Sequence, residues 1–255
     1  MFANYHTHTS RCKHAVGEDK EYVEAAIRGG MKVLGFSDHC PWVYENDFVS
    51  GCRMEPSKLD DYIDSIQALK KAYAKDIKIY LGFESEYIPE LMEAQDKLLK
   101  DYPIDYMILG QHFVSPEPYG NYTGVPTHDE DYLREYVDLI MEGMESGRYK
   151  YVAHPDLIHF TGNQQLYDEQ MLRLCQYLKK KNVPVEINLL GVYEQRHYTS
   201  EHFLNIAKQA GNSVIVGVDA HSPDRLERTD IHEQCFQMAK DSGLQVIEVL
   251  DGLNV

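Results

Sequence analysis

Ser213-Val214-Ile215-Val216-Gly217-Val218-Asp219-Ala220-His221 reads as a β-branched strand that runs into a pair of metal-binding side chains at i and i+2. Side chains alternate along a strand, so Asp219 and His221 point to one face. The same arrangement recurs along the chain. Phe2–Tyr5 leads into His6-Thr7-His8, with His14 close behind, and Val33–Ser37 leads into Asp38-His39. Lys78–Phe83 ends at Glu84, Ile108–Gly110 precedes His112, and Tyr151–Ala153 precedes His154. Seven of the twelve histidines fall in this set. Imidazoles and carboxylates with no cysteine among them read as an open, multinuclear, hydrolytic metal site.

Strand-like runs occur at Phe2–Tyr5, Lys32–Phe36, Ile77–Phe83, Tyr106–Leu109, Tyr149–Ala153, Val183–Ile187 and Ser213–Val218, separated by helical stripes. Ser57 with Asp60, and Thr127 with Glu130, read as capping boxes opening two of the helices. Asp168 reads as the cap of a third, and Gly211 closes a fourth that starts near Ser200. Seven alternations give parallel βα units. An open doubly wound sheet gathers its functional groups at one switch point, whereas a barrel gathers them from many strands at its C-terminal face. Every predicted strand but the sixth ends in, or is soon followed by, a candidate ligand, and no Gly-rich dinucleotide fingerprint appears. The expectation is therefore α/β: a barrel of seven strands, as a single domain over residues 1–255. Gln245–Leu250 is either an eighth strand or a terminal edge strand.

The apolar fraction of 43% and charged fraction of 26% are those of a globular chain with a substantial core. No window approaches the length of a transmembrane helix, and the start has no signal-peptide pattern. Five cysteines without Cys-x-x-Cys spacing fit a reducing cytoplasm. A net charge of −16 disfavours nucleic acid as the main partner. It repels phosphorylated small molecules as well, unless metal ions make the site locally positive.

Each candidate ligand has an ordinary reading when taken alone. His-x-His can be two half-buried histidines, and Asp38 can be a turn residue or a partner that orients a histidine. Six strands carrying the same feature favour a metal site.

Taken in order, the motifs His6-Thr7-His8, Cys12-Lys13-His14-Ala15-Val16-Gly17, Phe36-Ser37-Asp38-His39, Gly82-Phe83-Glu84, Gly110-Gln111-His112-Phe113, Ala153-His154-Pro155-Asp156 and Asp219-Ala220-His221 resemble those of the polymerase and histidinol phosphatase (PHP) phosphoesterases. The resemblance implies a distorted, TIM-like (β/α)7 barrel holding three divalent metal ions. It assigns His6, His8, Glu84 and Asp219 to the first ion. Glu84 bridges to a second, completed by His112 and His154, and His14, His39 and His221 hold the third. Such a cluster keeps a formal surplus of about four positive charges, enough to hold a phosphate dianion on an acidic protein. Zinc, manganese and iron all suit imidazole–carboxylate ligands. The reaction implied is attack of a metal-bridging hydroxide on phosphorus, with Glu84, Asp219 and His154 as the catalytic neighbourhood.

Within that family the chain is most similar to the monofunctional histidinol-phosphate phosphatases of histidine biosynthesis. The similarity rests on length, on the Cys-x-His-Ala-x-Gly segment, and on Glu186-Ile187-Asn188 followed by Arg196-His197-Tyr198. Thr199 stands where proline is more usual. Arg196 is the candidate for the substrate phosphate, because a guanidinium fork matches its oxygens. Arg53, Lys13 and His197 are further substrate-binding candidates. Tyr119 and Tyr122 are candidates to line a pocket for an imidazole ring, and Glu18 or Glu86 to face an amine. Other readings stay open. One is a phosphatase of the same family acting on nucleotides or other small phosphate esters; the others are an amidohydrolase-type barrel and a non-catalytic metal-binding module. Oligomeric state is not legible.

Overall fold

The computed structural model describes residues 1–44 and 47–253. Strands and helices alternate as β1 (Ala3–Asn4), α1 (Asp19–Arg28), β2 (Val33–His39), α2 (Leu59–Ala72), β3 (Lys78–Ser85), α3 (Pro89–Leu99), β4 (Tyr106–Leu109), α4 (Glu130–Glu145) and α5 (Gln164–Lys180). They continue as β5 (Val185–Asn188), α6 (Leu189–Tyr193), α7 (Glu201–Ala210), β6 (Ser213–Gly217), α8 (Thr229–Asp241) and β7 (Gln245–Val246). Every strand ladder among the described residues is parallel, in the orders β1-β2-β3-β4 and β5-β6-β7.

Two seams join these sheets into a distorted (β/α)7 barrel. Val152 bridges to Leu109 on one side and to Val185 on the other, and Thr7 bridges to Ala220. The predicted fifth strand is thus present as a stave without being a regular strand. The Ala153 N–H donates to Leu109 O, but His154 turns at φ 30 and ends the extended segment at once. β7 is a two-residue edge strand on β6. It settles the 245–250 question: the chain after it lies under the barrel, where Leu250 and Leu253 pack with Ala3, Tyr5 and Val33.

Apolar staves have two faces to cover, which is why they read as near-continuous hydrophobic runs. Outward residues such as Leu34, Phe36, Leu81 and Phe83 join the helices in the larger core. Inside the barrel, Tyr5, Tyr80, Tyr106 and Tyr151 fill the lower half. The Tyr106 hydroxyl donates to Tyr5 O at 2.7 Å, so these rings are buried without an orphaned polar tip. That aromatic floor leaves the upper half of the barrel to the histidines and carboxylates.

Helix entry departs from the expected caps at three places. A short 3-10 turn over Pro56–Lys58 takes up Ser57, so α2 starts at Leu59. Asp129, not Thr127, caps α4 by accepting from the Asp131 and Tyr132 N–H groups. Asn163 caps α5, which leaves Asp168 inside that helix, bonded to Gln164 and His202. Ser200 and Gly211 bound α7 as expected, with Gly211 in the left-handed region at φ 78. No helix among the described residues is long and apolar enough to cross a membrane.

Candidate metal centre

The nine histidines and carboxylates predicted as ligands converge at the C-terminal ends of the staves, and the first of them are placed by backbone locks. Asn4 accepts from the His6 and Val218 N–H groups and donates to His6 O and Thr7 Oγ1, tying β1 to β6. Thr7 is held on its other side by Ser37, and the His8 N–H donates to Ala220 O. His6 and His8 therefore face inward together, fully buried.

Glu84 is the centre of the cluster. Its Oε1 lies 2.8 Å from His154 Nε2, 3.5 Å from His6 Nε2 and 3.6 Å from His112 Nε2. Its Oε2 lies 3.2 Å from His39 Nδ1 and 3.5 Å from His8 Nε2. Asp219 Oδ1 sits 3.0 Å from His8 Nε2 and 3.4 Å from His6 Nε2. His14 and His221 meet at 2.9 Å between their Nε2 atoms, beside His39.

The donor set fits cations. His6 Nε2, His8 Nε2, Glu84 Oε2 and Asp219 Oδ1 are buried with no hydrogen-bond partner among the described residues, a cost that folds seldom leave unmet. Among the described residues five groups of three ligand atoms, each within 4.8 Å of one another, occur: His6/His8/Asp219, His6/Glu84/His154, His8/His39/Glu84, His14/His39/His221 and His8/Cys12/His221. Burial opposes the charge of Glu84, but His112, His6 and His39 outweigh it and hold its carboxyl well below the usual range. Asp219 is held low in the same way by His6 and His8. Burial and the nearby His8 push His221 down to about 3 and depress His39 as well. Against burial, the neighbouring carboxylates hold His6 and His8 well above the usual imidazole range, so a divalent ion would take its place here by displacing their protons.

A second layer orients the rings. The outer nitrogens of His6, His112, His14 and His221 are engaged by Glu186 Oε1 (2.8 Å), Glu86 Oε1 (3.0 Å), Cys12 O (2.8 Å) and Asp219 O (3.1 Å). Asp38 lies 3.5 Å from His8 Nδ1, the orienting place proposed for it from sequence. Glu186 is the residue that sequence reading left without a role, since the sixth strand seemed to lack a ligand. Its signal is a charge between Val185 and Ile187 in an otherwise apolar strand.

The cluster opens into a cavity of about 530 Å³ whose other walls include Arg53, Phe113, Tyr122, Glu194, Arg196 and Tyr198. Arg196 donates to Tyr198 Oη (2.9 Å) and, through Nε and Nη2, to Glu194 Oε2. The other substrate-binding candidates fare differently. Arg53 is buried, stacked 3.9 Å from the Trp42 ring centroid, with its donors taken by Glu86 and Glu117. Its geometry is that of a wall brace, not of a free phosphate fork. Lys13 Nζ is engaged by Ser50 O and Glu55, and Lys13 is not among the cavity walls. His197 stacks on His159 and donates to Leu157 O, lining a separate cleft. Tyr122 reaches the cavity; Tyr119 stays 83% exposed outside it. Glu18 stands exposed at the N-terminus of α1, its N–H donating to Glu21 Oε2, and Glu86 is bound to Arg53.

The chain is similar to known proteins over most of its length. The Deinococcus radiodurans protein named "Probable histidinol-phosphatase" is 27% identical over 224 residues, covering 86% of this chain and 85% of its own. The Bacillus subtilis histidinol-phosphatase is 24% identical, covering 85% and 92%. Among solved structures, the histidinol phosphate phosphatase of Lactococcus lactis, complexed with zinc, L-histidinol and phosphate, superposes with a TM-score of 0.74. It is 19% identical and covers 98% of this chain and 96% of its own. Residues 4–189, which carry six of the seven ligand motifs, match the PHP domain, and the chain belongs to the PHP domain family.

Proposed function

We propose that this protein hydrolyses L-histidinol phosphate to L-histidinol and phosphate, as a step of histidine biosynthesis in the cytoplasm. Three divalent ions would be held by His6, His8, Glu84 and Asp219, by Glu84, His112 and His154, and by His14, His39 and His221. The observation that carries this is the convergence of those nine groups, seven of them lining one wall of a 530 Å³ cavity and His6 and His8 buried just behind it, with a guanidinium, Arg196, among the other walls. Cavity size favours a small ester over a polymer. The relatives named above favour the amino-alcohol ester.

When bound, the ions supply positive charge for the phosphoryl oxygens and activate water at neutral pH. The protein's own groups do the rest. Arg196 turns its fork from Glu194 to the phosphate, with Tyr198 keeping the guanidinium on the cavity side. Glu194, freed of Arg196, is the carboxylate nearest to hand for the substrate ammonium. Tyr122, whose ring lies 6.4 Å from that of His112 and nearly parallel to it, offers a flat face to an imidazole. Asp219 and His154 stand beside Glu84 as the catalytic neighbourhood, the first held ionised by His6 and His8. All five cysteines are free thiols, consistent with a reducing compartment.

The test is a rate comparison. Protein loaded with manganese or zinc should cleave histidinol phosphate with kcat/KM about 100-fold or more above that for nucleoside monophosphates. Comparable rates would overturn the substrate assignment and favour the nucleotide reading. Metal analysis should find about three ions per chain, and Glu84→Ala should retain at most about one, because its two oxygens face five of the imidazoles. Full metal content in that variant would contradict the bridging role.

A further inference from the structure

Glu186 lies in the middle of β5, 0% exposed, with its carboxylate inside the barrel. Four donors converge on it. His6 Nδ1 (2.8 Å) and Tyr151 Oη (3.3 Å) reach Oε1; the His154 backbone N–H (2.9 Å) and Asn188 Nδ2 (2.9 Å) reach Oε2. An ionised carboxylate offers about four lone-pair positions and no donor, so this environment is matched to it completely. The site is also shaped around it: a Cβ at Gly217 would stand 1.8 Å from Glu186 Oε1.

We propose that Glu186 is the positioning residue of the metal centre, setting the tautomer of His6 and pinning His154 and Asp219; this rests on the metal-centre reading above. With Nδ1–H donated to Glu186, the lone pair of His6 is on Nε2. That atom has no hydrogen-bond partner and lies 3.5 Å from Glu84 Oε1 and 3.4 Å from Asp219 Oδ1. The opposite tautomer would set two acceptors face to face at 2.8 Å. His154 holds φ 30, a conformation that L residues resist, and its N–H is tied to the same carboxylate. Asn188 Nδ2 divides its two protons between Glu186 Oε2 and Asp219 Oδ2 (3.1 Å). One carboxylate thereby sets the ring of one ligand, the backbone of a second and the side chain of a third. Glutamine cannot take its place. It has a single oxygen, so its amide nitrogen faces either His6 and Tyr151, turning the His6 lone pair to Nδ1 and its proton to Nε2, or the His154 N–H and Asn188, donor against donor.

The experiment is a zinc competition titration of Glu186→Gln beside the wild type, with thermal melts of both. The expected result is a cooperatively folded variant whose zinc affinity is weaker by about 10–100-fold. Asp105→Asn serves as the control: its carboxylate accepts the Leu81 N–H and pairs with Lys70 beyond the N-terminal end of β4, so it alters stability without touching a ligand. Wild-type zinc affinity in Glu186→Gln, or an equal loss in Asp105→Asn, overturns the proposal. A wild type that binds no zinc overturns the metal-centre reading instead. A second measurement needs no variant. Nitrogen-15 NMR of the zinc-loaded wild type should show a slowly exchanging proton on His6 Nδ1, assigned through ring couplings. Zinc on Nδ1, or a proton on Nε2, sinks the idea whether or not Glu186→Gln folds.

Discussion

At the scale of single residues, charge placement separates the groups that hold ions from those that meet substrate. Arg196 and Arg53 share a chemistry and differ in environment. Arg53 is buried between Trp42, Glu86 and Glu117, where its charge is already spent. Arg196 is half-exposed and, among the described residues, its side chain pairs with Glu194 and Tyr198, so its fork can exchange partners. Arg196→Ala should raise KM for the phosphate ester about 10–100-fold, the worth of charge-assisted hydrogen bonds, with a smaller change in kcat. Steady-state kinetics check this, and an unchanged KM would remove Arg196 from the phosphate site. The sequence pointed to both arginines because residue type alone carries the guanidinium. Which partners occupy each fork is a matter of loops far apart in the chain, residues 40–53 with Glu117 and residues 188–199.

At the scale of elements, short staves deliver ligands because their exits are crowded and locked. Gly110 follows β4 where the backbone passes Glu84; a Cβ there would meet Glu84 Oε1 at 2.0 Å and Cδ at 2.7 Å. Gly110→Ala should therefore displace the Glu84 carboxylate, costing about 1–3 kcal/mol of stability and, on the proposed ligand set, most of the bound metal. Melting together with metal analysis of the purified variant tests it; full occupancy would show that Glu84 has room to move. Alternation of strands with helical stripes was legible, as were the i, i+2 pairs at His6/His8 and Asp219/His221. Two features were not. The fifth stave is a lone bridge at Val152, since His154 turns the chain before a ladder can extend. Asp129 and Asn163 accept the first-turn N–H groups of α4 and α5 in place of Thr127 and Asp168, and α2 starts later because a 3-10 turn takes up Ser57.

At the scale of the whole molecule, stability follows from ionised groups held inside an acidic barrel. Burial opposes the charge of Glu86, but Arg53 and His112 outweigh it and bring its carboxyl to about 2. A folded-state value below the unfolded one stabilises the protein at high pH. That contribution is fully present above the unfolded carboxylate range, near pH 4.5, and is lost as pH falls towards 2. In chelated protein the shifted histidines change the urea midpoint between pH 7 and 5, and the Glu86 contribution adds a further fall below 4.5. Arg53→Met with Glu86→Gln should flatten that fall, and an unaltered profile in the double variant would assign acid sensitivity elsewhere.

Taken alone, the sequence determined the fold class and the metal-binding character, because both are written in periodicity and in residue types at strand ends. The motif His6-Thr7-His8 and its successors name their chemistry without knowing their neighbours. Tertiary structure alone decided that Glu84 lies between five imidazoles, that Arg53 braces a wall and that Glu186 gathers four donors. Those facts depend on which staves adjoin across the barrel, as Glu186 of β5 meets the ring of His6, just past β1 and 180 residues away in the chain. A side chain's role is set by the groups within hydrogen-bond reach, and closure of the barrel is what brings them there.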